Sequence, residues 1–338
     1  MNIINNSGPC ILAIETSCDD TSIAILKEGK MLANITANQA IHEKYGGVVP
    51  ELASRDHEKN IVKVYYESLR TAGIQRDEID YVAFTQGPGL LGSLLVGTSF
   101  AKSLSLGLNK PLIAVNHLEA HVASLYIDIP QPKFPFLTLL VSGGHTELVL
   151  VEDFFKFTTL GGTLDDAAGE AFDKIGKMLN LGYPAGPLID QLAENGISDK
   201  FQFTYSKVPK YKYSFSGLKT QVLYFLQKKI QEDPGFIKKN LEDLCASIQH
   251  HIVSYLLKTV ELAAKDHELS NFGLVGGVSA NNSLRKAMNL LAQRFGGECY
   301  IPKLEYCTDN AAMIAKVAEF KAKQNKFDDL SVKAKARF

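Results

Sequence analysis

The chain has 338 residues, 46% of them hydrophobic and 22% charged, with 36 basic against 37 acidic side chains and a formal net charge of −1. This composition excludes a largely disordered chain and a globally basic nucleic-acid binder, and the length suits two core-forming units. The five cysteines, Cys10, Cys18, Cys245, Cys299 and Cys307, form no C-x-x-C pair. That argues against zinc ribbons and disulfide scaffolds, and for reduced thiols in a cytoplasmic setting.

In chain order, 10-CILAIETSCDDTSIAIL-26 reads as strand, polar turn, strand. Its apolar run, 11-ILAI-14, is stopped by Glu15 and followed by Asp19 and Asp20, too short and too acidic for a signal peptide. No apolar run is expected to be long enough to span a membrane, so no membrane partner is expected. Residues 79–104 read as a strand, the glycine turn 87-GPGLLG-92 and a helix, and 112-LIAV-115 as a strand leading into a helix near Asn116. The proline-rich stretch 129-IPQPKFPF-136 breaks the chain there. Residues 1–128, together with 308–338, are expected to form one lobe and 129–307 the other.

The hairpin plan recurs in 137-LTLLVSGGHTELVLV-151, and the strand, glycine turn and helix plan in 272-FGLVGGVSANNSLRKAMNLLAQ-293. An α/β chain of two similar halves follows from that ordered duplication. Between the repeats lies an insertion with helices expected at 166–181 and 236–266, and a rigid glycine and proline loop at 182-GYPAGPLID-190. A last helix follows Asp309, and 325–338 is charged and expected to be loosely held.

His117 and His121 fall one helical turn apart, a spacing that lets two imidazoles face one ion. Two polar residues lining a helix surface are the alternative. A zinc-protease motif fails, because H-E-x-x-H needs glutamate directly after the first histidine and this chain has Leu118 there, with Glu119 about 200° around the helix. Asp309 offers a third ligand or, alternatively, a helix cap. The turns at 87–92, 143–145 and 276–282 each offer backbone amides to phosphate, yet none has the Rossmann or P-loop pattern. Asp166, Glu170 and Asp173 recur at helical spacing, either as a solvated face or beside a small-molecule pocket. The stretch 207-KVPKYKYSFSGLKTQ-221 mixes Lys207, Lys210, Lys212 and Lys219 with Tyr211, Tyr213 and Phe215. It suits phosphate contact and base stacking, or an ordinary surface loop.

Taken together, 14-IETSCDDTSIA-24, 46-GGVVPELASRDH-57, 86-QGPGLLGSL-94, 116-NHLEAH-121, 141-VSGGHTEL-148, 165-DDAAGEAFDK-174, 214-SFSGLKT-220, 275-VGGVSANN-282 and 307-CTDNAAMIA-315 resemble one family over nearly the whole chain. It is the tRNA adenosine threonylcarbamoyltransferases, a universal group formerly described as O-sialoglycoprotein endopeptidases. The form VSGGHT is similar to the bacterial members. The resemblance implies the actin-like, Hsp70-like ATPase fold, with two duplicated ribonuclease-H-like α/β lobes around a central cleft. It implies one divalent metal, Fe2+ or Zn2+, on His117, His121 and Asp309, which would also be the catalytic centre. It further implies an adenine nucleotide, threonylcarbamoyl-AMP or ATP, against Val141, Ser142, Gly143, Gly144, His145, Asp173, Gly186, Asp190 and Asn281. The implied reaction moves threonylcarbamoyl from its adenylate to N6 of the adenosine 3′ of the anticodon in tRNAs reading ANN codons. The implied partners are tRNA, an inactive paralogue subunit and a P-loop ATPase subunit. A small-molecule kinase of the same fold is the alternative; it would need the hairpins and glycine turns but not the histidine pair with a distant aspartate.

Overall fold

The structure is a computed structural model that describes residues 8–127 and 130–338. The chain divides into two compact units, one of them made of two separate stretches, the chain up to residue 129 and Asp309–Phe338. The other is Pro130–Thr308. The lobe boundary expected at 128/129 lies outside the described residues.

The first unit opens with β1 (Cys10–Glu15), all six residues buried, followed by β2 (Thr21–Lys27) and β3 (Lys30–Ala37). Helix α1 (Pro50–Ala72) follows, with proline in its first turn and Gly73 in the left-handed conformation closing it, where the missing Cβ removes the steric penalty. Next come β4 (Tyr81–Gly87), α2 (Leu91–Leu108), β5 (Leu112–Asn116) and α3 (His117–Ala123). The sheet order is β3-β2-β1-β4-β5, with β1, β4 and β5 parallel and the β1-β2-β3 meander antiparallel.

The second unit repeats that wiring with β6 (Phe136–Val141), β7 (Thr146–Asp153), β8 (Lys156–Gly162), β9 (Phe272–Val275) and β10 (Cys299–Tyr300). Its order is β10-β9-β6-β7-β8, antiparallel through the hairpins and parallel between β6, β9 and β10. The insertion carries α4 (Ala168–Met178), α5 (Gly186–Ala193), α6 (Ser216–Glu232), α7 (Phe236–Lys239) and α8 (Leu241–His267). Helix α9 (Asn282–Arg294) follows β9, and the chain then returns to the first unit with α10 (Ala311–Lys323).

Each unit has its own core. Leu12, Ile14, Ile23, Ile25, Val82 and Phe84 centre the first; Leu137, Leu139, Phe172, Ile248, Ile252 and Leu274 centre the second.

Several sequence expectations need correction. The single helix expected at 236–266 is two, because the chain turns at Asn240, whose amide bonds back to Phe236 O and Ile237 O. The loop expected at 182–190 is helical from Gly186, with Pro187 in the first turn, where its missing N–H costs nothing. The run 325–338 is docked, not loose: Asp328 N bonds Leu112 O, Lys335 N bonds Gln86 O, and Phe327 stacks on Tyr81. Finally, Leu91–Leu108 is long and apolar enough to cross a membrane by length and composition alone. Its buried positions include Ser93, Gly97, Thr98, Ala101 and Ser105, small residues that let it lie close to its own unit. Gly97 is pressed so near Thr16 that a Cβ there would overlap the threonine hydroxyl.

Candidate metal centre

Parallel strands direct their carboxyl ends to one edge of the first sheet, the usual place for ligands in α/β sheets. Glu15 ends β1, and His117 starts α3 directly after β5. Asn116 caps α3 by accepting from Leu118 N at 2.8 Å and Glu119 N at 3.3 Å, which fixes where the helix begins and so where its histidines point. Asp309 lies two residues before α10. The cap of that helix is Asn310, whose Oδ1 accepts from Met313 N. The capping alternative for Asp309 is thereby excluded, and its carboxylate is left to face the histidines.

The three side chains converge. Asp309 Oδ1 lies 3.4 Å from His117 Nε2 and 3.2 Å from His121 Nε2, and the imidazole rings stand edge to face with centroids 4.6 Å apart. One ligand atom from each of the three residues falls within 4.8 Å of the others. Tetrahedral bonds of roughly 2.0–2.1 Å space ligand atoms about 3.3 Å apart, so the two measured separations suit a single ion. His121 is 1% exposed, and neither of its ring nitrogens makes a directed hydrogen bond. A buried polar atom without a partner is costly, and a cation on Nε2 removes the cost at that atom. The residues present fit a metal.

Glu15, read in the sequence only as the end of an apolar run, is the functional residue that was missed. It is fully buried, accepts from Ser17 N and Thr85 Oγ1, and places Oε2 3.2 Å from His117 Nδ1. Ser17 Oγ lies at 3.2 Å from the same nitrogen. An ionised carboxylate only accepts, so it selects the tautomer with the proton on Nδ1 and leaves Nε2 free to bind a metal. A charged residue inside a strand whose other members are all apolar was the available signal.

The pocket carries surplus negative charge. Burial pushes the Glu15 and Asp309 carboxyls up, yet the histidines outweigh it and hold both below the usual range, Asp309 far below. Burial pushes His117 down, and Asp309 and Glu15 overcome that to raise it to about 10. Asp20 is raised to about 7 by burial and by Asp19, Asp309 and Glu15. A divalent cation offsets this imbalance.

The sequence-predicted nucleotide residues lie in the second unit, along the carboxyl ends of β6 and β9. Val141 ends β6, and Ser142 closes a tight turn in which its N–H donates to His145 O and its Oγ accepts from His145 N. Gly143 and Gly144 are exposed, with open space where a Cβ would stand. Gly169, at the start of α4, donates to Ser142 O and leaves no room for a side chain against Gly143. Gly276, at φ +89°, presses equally close to the Val141 carbonyl. One turn along α4, Asp173 accepts from Ala185 N at 2.7 Å and from Gly186 N, while burial pushes its carboxyl up. Asp190 Oδ2 accepts from both the backbone and side-chain nitrogens of Asn282. Asn281 caps α9 and donates to Gln249. Thus Asp190 and Asn281 tie α5, α8 and α9 together around the turn.

Two sequence readings need correction. In the turn at 87–92 two amides are already taken, Leu90 N by Ser17 O and Gly89 N by Ala336 O, and the missing Cβ of Gly87 makes room for Lys335. The lysine-rich stretch is no stacking platform: Tyr213 and Phe215 are fully buried, Lys210 pairs with Asp266, and Lys219 lies 3.6 Å from Asp166. Lys174 also pairs with Asp166 and Glu170, which offsets part of the acidic stretch.

A family model described as tRNA N6-adenosine threonylcarbamoyltransferase (TsaD) matches residues 30–316. The chain belongs to that family. Relatives of the same description come from Riemerella anatipestifer, 55% identical over 97% of each chain, and Porphyromonas gingivalis, 54% identical over 94% of each. One from Thermosipho africanus is 51% identical over 90% of this chain and 92% of its own. Among solved structures, full-length HypF superposes with TM-score 0.61 at 13% identity, over 95% of this chain and 47% of that one. Component A of the Acidaminococcus fermentans (R)-2-hydroxyglutaryl-CoA dehydratase gives 0.55 at 16%, over 94% and 100%. These two bear on the fold alone, the actin-like ATPase fold. Membership of the threonylcarbamoyltransferase family disfavours the small-molecule kinase alternative.

Proposed function

We propose that the chain transfers threonylcarbamoyl from threonylcarbamoyl-AMP to N6 of the adenosine 3′ of the anticodon in tRNAs reading ANN codons. The observation that carries this reading is the convergence of His117, His121 and Asp309, backed by buried Glu15, in a chain of the threonylcarbamoyltransferase family.

The exocyclic amine of adenine is a poor nucleophile, its lone pair delocalised into the ring, so rate must come from positioning and from polarising the acyl group. His117, His121 and Asp309 would hold Fe2+ or Zn2+, two neutral nitrogens and a carboxylate suiting either. When bound, the ion supplies a Lewis acid toward the oxygens of the threonylcarbamoyl group. Glu15 keeps the His117 ring oriented. The turn Val141–His145, exposed at Gly143 and Gly144, is together with Asp173 and Gly186 suited to the adenylate of the donor, or to ATP. Its glycines admit a ligand close to the backbone.

The proposed partners are tRNA, an inactive paralogue and a P-loop ATPase subunit, in the cytoplasm, in keeping with five cysteines that are all free thiols. For the paralogue, the first unit offers a groove of about 1040 Å³ between α1 and α2, lined by Val62, Tyr66, Leu69, Phe100 and Leu104.

The test is transfer of labelled threonylcarbamoyl from its adenylate to unmodified tRNA, with and without the partner subunits. His117→Ala and His121→Ala are expected to lose metal and transfer together. A metal-free variant with undiminished transfer overturns the assignment.

A further inference from the structure

The overall charge leaves open which surface meets tRNA, and in the lysine-rich stretch at 207–219 Lys210 and Lys219 already face Asp266 and Asp166. A second basic run, 333-KAKAR-337, lies in the first unit and is held quite differently. Its backbone does the anchoring: Lys335 N donates to Gln86 O at 2.8 Å, Lys333 O accepts from Gln86 Nε2 at 3.0 Å, and Ala336 O accepts from Gly89 N at 3.3 Å. Gly87, with φ +146°, makes room for the Lys335 carbonyl that any side chain would displace. Val332 packs on the core, Ala334 is half-buried, and Lys333, Lys335 and Arg337 are exposed. None of the three cations has a carboxylate partner among the described ion pairs; Lys335 Nζ lies only over the Phe338 ring, at 4.8 Å. The acids just upstream are turned to other work, Asp328 Oδ2 on Ala114 N and Asp329 Oδ1 on Ser331 N.

Position gives the run its meaning. The turn that receives it is itself bonded to the metal-site loop, since Leu90 N donates to Ser17 O at 2.7 Å and Ser17 Oγ lies 3.2 Å from His117 Nδ1. Three successive hydrogen bonds, through the turn and Ser17, therefore join the basic run to His117 of the candidate centre. A mobile basic tail would merely be solvated; a run pinned through its backbone presents its charges at fixed places.

We infer that Lys333, Lys335 and Arg337 form a strap that contacts the tRNA sugar-phosphate backbone beside the metal centre and brings the target adenosine to it. Phosphate contact supplies register without reading sequence, as an enzyme acting on several tRNAs requires. The inference rests on the tRNA reading above. Each phosphate neutralised releases counterions and steepens the salt dependence of binding by about 0.7–0.9 in log–log slope.

The experiment measures binding of unmodified tRNA to the full chain, alone and with its partner subunits, from about 50 to 200 mM salt. The variant is Lys333→Ala/Lys335→Ala/Arg337→Ala. The expected result is a slope shallower by roughly two to three, with tRNA affinity at low salt down tenfold or more. Melting temperature and metal content should be unchanged, KM for tRNA raised, and kcat kept. Lys333→Arg/Lys335→Arg is expected to restore wild-type binding. A triple variant with wild-type slope and affinity overturns the strap. A wild-type chain that binds no tRNA in any combination overturns the reading beneath it.

Discussion

His117 Nδ1 lies 3.2 Å from the Oε2 of Glu15, so an imidazole of the candidate metal pair is oriented by a carboxylate buried at the end of the first strand. Replacing Glu15 by glutamine keeps the shape but removes the charge and allows the other His117 tautomer. Metal affinity, followed by titration with Zn2+ or Co2+, is expected to fall about 10- to 100-fold. Glu15→Ala should lose more, because it also leaves Ser17 N without its acceptor.

Asp309 and Asn310 are neighbours with separable tasks. Asn310→Ala removes the cap of α10 and is expected to cost about 1 kcal/mol of stability by denaturant unfolding, with metal bound as before. Asp309→Asn is expected to abolish metal retention while the Asn310 cap of α10 stays in place. The two measurements together distinguish a ligand from a cap.

Gly276 holds a left-handed backbone against the Val141 carbonyl. Gly276→Ala combines that strain with a steric overlap, and a loss of about 1–3 kcal/mol is expected. Adenine-nucleotide affinity, measured by calorimetry, should fall with it, whereas Gly143→Ala, where nothing stands in the way of a Cβ, should leave stability unchanged.

Burial pushes the His251 imidazole down to about 4, with His250 adding to the effect; the ring stacks on Tyr205 at 4.4 Å. Its folded pKa lies below the unfolded value of about 6.5, so the unfolded chain takes up the proton first. This contribution is fully present above pH 6.5 and is lost as the pH falls toward 4, up to about 3 kcal/mol. His251→Phe should show a smaller drop in melting temperature between pH 7 and pH 4.5 than the parent. Equal drops would assign acid sensitivity to other groups.

The repeated hairpin and the repeated strand, glycine turn and helix were legible because apolar runs and glycine punctuation are local. His117 and His121 were legible as a pair because helical spacing is local too. That Asp309 meets them was not contained in periodicity or spacing; the family resemblance supplied it. Glu15 escaped because its partner is 102 residues away. The glycines at 87–92 misled for a related reason. Glycine marks close approach, but only the fold shows that Ser17 and Lys335, not a phosphate, are what approaches. Tyr213 and Phe215 misled likewise, since stacking and burial draw on the same residue types.

The first unit is discontinuous: its two stretches are interrupted by the whole of Pro130–Thr308, and His121 belongs to one stretch while Asp309 opens the other. An ion shared by the two residues is therefore a clasp on a body the chain must leave and re-enter. Because binding only the folded form raises stability by RT ln(1 + [M]/Kd), calorimetric scans with a chelator should show the first unit melting earlier while the transition of the second stays in place. Occupancy of the centre could then be read as heat.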